Sequence, residues 1–402
     1  MYKEITECGL CKSKDIPIIW DWGLSPIANA FKDKKDLDNV EFEAPLVYCK
    51  CSNCHSVQLK FQVSEDKLYL DYLYESPPNL IPHFKELAKT TFNYLGLSLR
   101  DRVIDIGSNN GLLLQEYKDL GCKVVGFEPC ERIAQKARDK GIGTISQFFN
   151  GPTAEEFALQ YKCCNLAVAT NSFAHNSNLD EFIEGLLMVM DYDSYFVFEN
   201  CYIYNSLISK DLGQNYFDHF YQHNLLSLVK LFEKHDMELF KVEYVNIQLG
   251  SIRCYVRFKE NQKLEKDYSV EKGLREEIEF SLDTLEPYKK FIFDIDWAKN
   301  RLLVKLDEIK KNSGTICLYA FPAKMCLINK YFGLEPYIDY IVEEASSKIG
   351  KFAPGTRLEI KDIEYFKKNP TSHVILGAYN FKNDIISKHQ WFQGSWIDPL
   401  NA

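Results

Sequence analysis

Apolar and polar positions change rhythm along this chain in a way that marks out three stretches. Residues 1–70 hold short strand-like runs, such as Leu46-Val47-Tyr48 and Val57-Gln58-Leu59, set among polar turns. Over 71–260, strand patterns alternate with amphipathic helical ones, the signature of a parallel α/β sheet. The predicted strands cover 102–107, 123–128, 166–171, 195–199 and 251–258, and the helices between them include 112–120 and 131–140. A charged stretch, 259–267, reads as a linker into one long helical pattern over 270–313 that ends near Gly314. Strand patterns at 315–320, 340–342 and 374–377 then predict a second α/β unit. The expected fold class is α/β, with a small module over 1–70, a central Rossmann-like domain over 71–260 and a second Rossmann-like domain over 261–402.

Composition narrows the classes. With 46% hydrophobic and 26% charged residues in 402, the chain can bury real cores, and its length suits two or three domains. A net charge of −9 argues against broad nucleic-acid binding, which needs a basic footprint. Met1-Tyr2-Lys3-Glu4 opens on polar sequence, and no run approaches the roughly 18 apolar residues of a membrane span. The expectation is a cytoplasmic monomer with no membrane partner, its 13 cysteines reduced.

Two of those cysteine groups carry chemistry. Cys8-x-x-Cys11 and Cys51-x-x-Cys54 offer four thiolates, the donor set of a structural zinc ribbon. Cys49 and His55 flank the second pair as substitute ligands. Four protein ligands leave no open position, so the expected metal is structural.

The apolar run Val103-Ile104-Asp105-Ile106 ends in the turn Gly107-Ser108-Asn109-Asn110-Gly111, and a helix follows. Such a turn at the end of a first strand lets a ligand approach the backbone. About twenty residues on, the next strand ends in Glu128, an acid able to hold two ribose hydroxyls. Because no GxGxxG is present, the pattern favours S-adenosylmethionine over a dinucleotide. The third predicted strand ends at Asn171, beside the methyl donor's amino-acid part or the substrate.

Further on, Tyr216-Phe217-Asp218-His219 puts a phenol, a carboxylate and an imidazole within four residues. Methylating carbon needs a carbanion, so a C–H beside a carbonyl must lose its proton. His219 is the natural base, Asp218 would raise its basicity, and Tyr216 would stabilise an enolate. His223, one helical turn on, and His175 are further candidates.

Taken in order, these segments resemble the three-domain sugar C-methyltransferases, which methylate a carbon beside the ketone of nucleotide-linked 4-keto deoxysugars. The resemblance spans nearly the whole chain. It rests on the paired CxxC, Asp71-Tyr72-Leu73-Tyr74-Glu75-Ser76, the loop 106–111, Asn171 through His175, Tyr216 through Phe220 and Gly250-Ser251-Ile252-Arg253. In the last third it rests on Pro322-Ala323-Lys324, Pro354-Gly355-Thr356 and Ala378-Tyr379-Asn380-Phe381. It implies that Tyr74 joins Tyr216, Asp218 and His219 in catalysis. Tyr72, Asp105, Gly107, Ser108, Asn109, Glu128, Phe148 and Asn171 would hold the cofactor. His175, Lys324, Thr356 and Asn380 would hold the substrate, with Lys324 meeting phosphate charge. The sequence departs from the family pattern at Asn110, at Phe217, and at Phe321 and Met325, where larger side chains would narrow a pocket. Transfer to oxygen or nitrogen of another metabolite stays open on the same fold, as does a non-catalytic sugar-nucleotide binder or scaffold.

Overall fold

The computed structural model describes residues 2–247 and 250–401. Its strands, in chain order, are β1 Tyr2–Glu4, β2 Ile18–Pro26, β3 Glu43–Lys50, β4 Val57–Leu59 and β5 Phe61–Val63. Next come β6 Arg102–Ile106, β7 Lys123–Phe127, β8 Gly143–Ile145, β9 Cys164–Thr170, β10 Met190–Cys201, β11 Tyr221–Gln222, β12 Met237–Val245 and β13 Ser251–Phe258. The last five are β14 Ile316–Tyr319, β15 Tyr340–Val342, β16 Ile360–Lys361, β17 His373–Leu376 and β18 Ser395–Ile397.

The central sheet runs β12-β13-β10-β9-β6-β7-β8. Strands β8, β7, β6, β9 and β10 are parallel, and β13 inserts antiparallel between β10 and β12. Val103, Ile104, Asp105 and Ile106 are all buried, as a strand covered on both faces requires. Chain order reverses between β6 and β9, so a crevice opens at their carboxyl ends. The sequence pattern had missed β8 and β12; β8 has three residues, none of them buried, and so lacks a strong apolar run.

The C-terminal sheet, β16-β15-β14-β17-β18, is wholly parallel and has its own reversal between β14 and β17. Gly377 follows β17 at that reversal. A Cβ there would stand 1.9 Å from the Ala320 carbonyl oxygen, so only glycine lets the two strand ends approach.

The N-terminal sheet is β11-β4-β3-β2. Its edge strand β11 comes from residues 221–222, far along the chain, and pairs antiparallel with β4. Trp20 of β2 is buried, packs tilted against Phe291 with ring centres 4.9 Å apart, and donates its indole N–H to the Tyr288 carbonyl at 3.1 Å.

The expected single helix over 270–313 is two, Tyr268–Glu279 and Glu286–Lys311. Ser281 takes a left-handed φ of 63°, which no helix continues through. Lys50 Nζ donates to the Asp283 carbonyl at 2.7 Å and Tyr288 Oη to that of Leu282 at 3.3 Å, so tertiary bonds hold the break. Helical periodicity runs across it because both helices bury the same kind of face. No helix among the described residues is long and apolar enough to cross a membrane.

Candidate active site

Two identical knuckles build the metal centre. In each, the amide four residues after the first cysteine bonds back to its carbonyl: Lys12 to Cys8 and His55 to Cys51, both at 3.0 Å. Lys12 and His55 both adopt left-handed φ, 60° and 64°, to close the turn. All four sulfurs of Cys8, Cys11, Cys51 and Cys54 lie within 4.8 Å of one another. Cys8–Cys54 is 3.4 Å and Cys11–Cys51 3.5 Å, far from disulfide length. Tetrahedral Zn–S bonds near 2.3 Å set sulfurs about 3.8 Å apart, so the cage fits zinc. Cys49 and His55 are not ligands: the Cys49 thiol donates to the Gln58 carbonyl, and His55 Nδ1 meets Lys50 Nζ at 3.3 Å.

At the end of β6 the chain turns through Gly107 (φ 81°), Asn109 (φ 47°) and Gly111 (φ 79°). A Cβ on Gly107 would sit 2.5 Å from Ser172 Cβ, which fixes glycine there. Glu128, following β7, is buried and accepts from the amides of Cys130 (2.8 Å) and Asn109 (3.1 Å) and from Tyr72 Oη (3.1 Å). The segment 72–76 is folded across this turn. Asn109 Nδ2 donates to Tyr72 Oη, the Ser76 amide donates to Asn109 Oδ1, and Arg132 grips the Tyr72 carbonyl and Glu75. Thus Tyr72 is brought to the glycine turn, while Tyr74 has an exposed ring and offers its carbonyl to Asn109 at 3.4 Å.

Asp105 Oδ1 and Ser108 Oγ are buried without hydrogen-bond partners at the same strand end. Burial, reinforced by Glu128, pushes the Asp105 carboxyl up to about 8. Buried polar atoms without partners beside a glycine turn fit an ammonium and a ribose from outside the chain. Asn171, ending β9, has φ 53° and donates its amide to the Glu199 carbonyl at 2.7 Å. Phe148, half-buried, stands edge-on to Tyr69 at 6.4 Å.

Residues 211–222 carry the acid–base groups. His219 is buried, and its Nδ1 lies 2.8 Å from the Gln214 carbonyl. A carbonyl only accepts, so Nδ1 carries the proton and Nε2 keeps the lone pair. Burial pushes His219 down to about 4 against the opposing pull of Gln214, which keeps the ring neutral at neutral pH. Its ring stacks on His175 (5.1 Å) and lies against Tyr216 (4.3 Å), and His175 stacks in turn on Tyr69 (5.5 Å). His175 Nε2 is buried without a partner, and burial holds this imidazole well below its usual range.

Asp218 does not partner His219 as the sequence suggested. Adjacent residues in this turn point apart, and the orienting acceptor is the Gln214 carbonyl. Asp218 Oδ2 is buried and unpartnered, and burial raises the carboxyl to about 7. Tyr216 is held well above its normal range, first by burial and then by Asp218, so it remains a phenol. The segment after His219 is strand rather than helix. His223 therefore lies not one helical turn on but under the sheet, stacked on Phe173 at 5.1 Å and pushed by burial to about 3.

Sequence reasoning missed the groups that hold this turn. Tyr48 Oη, from β3, lies 3.2 Å from the carbonyls of both Tyr216 and His219. Gln222 Nε2 donates to the Gln214 carbonyl at 3.1 Å, and Tyr69 Oη to that of Asp218 at 2.8 Å. Their targets are main-chain atoms, which leave no mark in local sequence.

Of the expected substrate residues, Lys324 and Asn380 come together: Lys324 Nζ donates to Asn380 Oδ1 at 2.6 Å and covers the Tyr379 ring at 4.1 Å. Thr356 does not join them. Its hydroxyl donates to the Ala353 carbonyl and accepts from the Leu358 amide, closing a turn whose Gly355 packs on Pro26 and Glu41. Phe217, Phe321 and Met325 are fully buried core residues, so their added bulk goes inward.

A family model described as "C-methyltransferase C-terminal domain" matches residues 246–400, and one described as "Putative zinc binding domain" matches 8–69. The C-methyltransferase NovU of Streptomyces niveus is 25% identical over 404 residues, covering 99% of this chain and 96% of that one. The two ends of this chain thus match two domains of C-methyltransferases. Among solved structures it is similar to the magnesium protoporphyrin IX methyltransferase ChlM of Synechocystis PCC 6803 (12% identity, TM-score 0.34, 46% of this chain and 86% of that one). It is also similar to an S-adenosylmethionine-dependent methyltransferase of Clostridium acetobutylicum ATCC 824 (12%, 0.36, 44% and 92%). The protein is an S-adenosylmethionine-dependent methyltransferase with a zinc-binding module.

Proposed function

We propose that this C-methyltransferase methylates the carbon beside the ketone of a nucleotide-linked keto-deoxysugar. The observation that carries the reading is the Gln214 carbonyl on His219 Nδ1, which leaves Nε2 as a neutral, fixed base. S-adenosylmethionine, when bound, supplies an electrophilic methyl group. Glu128 and Tyr72 would hold its ribose, and Asp105, Ser108 and Asn171 would line its amino-acid end. Gly107 lets it reach the backbone, and Phe148 flanks the adenine side. His219 Nε2 takes the α-proton, and the Tyr216 phenol donates to the oxygen that becomes the enolate. Tyr74 and His175 would border the sugar, and zinc holds the N-terminal module in register. NovU, a C-methyltransferase by name and alignable along almost its full length, supports transfer to carbon.

The test is His219→Ala. Methyl transfer and deuterium wash-in beside the ketone should both fall by about 10²-fold or more, with S-adenosylmethionine binding retained. Wash-in at the wild-type rate would remove His219 from the reaction.

A second assignment of the base is favoured by Asp218 itself, whose orphaned carboxylate titrates near 7. Under it, Asp218→Asn abolishes wash-in and His219→Ala only slows it.

A further inference from the structure

Beyond the base, the segment 211–215 meets the C-terminal sheet at the reversal between β14 and β17. Asp211 is 3% exposed. Its Oδ1 accepts from Tyr379 Oη and, at 2.9 Å, from the Gly213 amide, while Oδ2 is buried with no partner. Lys324 Nζ spends one N–H on Asn380, and no ion pair joins it to Asp211 among the described residues. An unpartnered buried acceptor and a lysine that makes no ion pair with it thus belong to one cluster. Gly213 lies between them: a Cβ there would come within 2.9 Å of Asp211 Oδ1, Lys324 Cδ and Tyr379 Oη. The next residue is Gln214, whose carbonyl orients His219.

We propose that Asp211 and Lys324 form a hydroxyl-reading subsite for the sugar ring, in which one hydroxyl donates to Asp211 Oδ2 and accepts from Lys324 Nζ. This rests on the keto-sugar reading above and changes the role expected of Lys324. A phosphate would have no partner at Asp211 and would be repelled by it, whereas a neutral hydroxyl satisfies both groups at once. Tyr379 is the positioning residue, since its O–H fixes which Asp211 oxygen stays free.

The test compares wild type, Asp211→Asn and Lys324→Met by calorimetry with three probes: a nucleoside diphosphate-linked 4-keto-6-deoxyhexose, the same compound lacking one ring hydroxyl at a time, and the nucleoside diphosphate alone. Asp211→Asn keeps an acceptor for Tyr379, and a thermal melt confirms folding. Expected is a loss of roughly ten- to a hundredfold in affinity for the sugar-linked probe in both variants. One deoxygenated probe should bind wild type and variants alike, and binding of the diphosphate alone should not change. An equal loss for the diphosphate alone would make the cluster a phosphate site and overturn the proposal, as would unaltered binding of every probe. If wild type itself binds the diphosphate but gains nothing from any sugar, the keto-sugar reading fails together with this one; if only the variants behave like wild type, this one fails alone.

Discussion

At the scale of single residues, the chemistry turns on which neighbour each titratable group lacks. His219 has its Nδ1 taken by a carbonyl and no carboxylate on it, so burial wins and the ring titrates near 4. Its base form is full above that value and is lost as pH falls through it. The acid limb of kcat/KM should therefore lie near pH 4 to 5 if His219 is the base, and near 7 if Asp218 is. A pH–rate profile on the first committed step separates the two. Tyr48→Phe removes one hydroxyl from two main-chain carbonyls about 3.2 Å away. We expect kcat to drop about tenfold with KM nearly unchanged, and stability to fall by about 1–2 kcal/mol. A steady-state comparison with a thermal melt checks both. The cysteine pairs, the glycine turn and Glu128 are legible in sequence because each is set by its own few neighbours. Tyr48, Gln214 and Gln222 are not, because nothing local says which carbonyl a distant side chain will reach.

Elements explain why those groups meet. The turn at Gly107, beyond the carboxyl end of β6, packs so tightly against the chain leaving β9 that a methyl group would strike Ser172. Gly107→Ala, strained at φ 81° as well, should lower S-adenosylmethionine affinity by about tenfold or more by displacing the turn; calorimetry measures it. Under the sheet, Arg253 of β13 binds the buried Glu199 of β10 at 2.6 Å, and Glu199 also meets His83 at 2.6 Å. Breaking one partner of such a pair costs about 3–5 kcal/mol, so Arg253→Met should unfold in denaturant at a much lower midpoint. Periodicity found the buried parallel strands because both their faces are apolar. It failed at β8, too short and exposed to carry a signal, and at Ser281, where the break in the helix is fixed by Lys50 and Tyr288 from elsewhere in the fold.

Over the whole molecule, the metal knuckles and His219 share a frame. Strand β3 carries Tyr48 three residues before Cys51, and β11 begins two residues after His219 while pairing with β4. Loading with a strong chelator should strip about one metal per chain. It should lower the melting temperature and depress deuterium wash-in together, and zinc should restore both. Loss of metal with full wash-in would show that His219 is held by other contacts. The parallel sheet of the last third, legible as strand patterns, is not legible as a neighbour of residues 211–215, because that adjacency exists only once the central and C-terminal sheets have assembled.

The borrowed edge strand has a practical meaning for anyone recombining these enzymes. Because residues 221–222 complete a sheet whose other strands lie before residue 64, a chimera spliced near position 70 would graft a foreign β4 onto a native β11. A workable exchange has to carry 211–224 along with the amino-terminal part, as one transplanted unit.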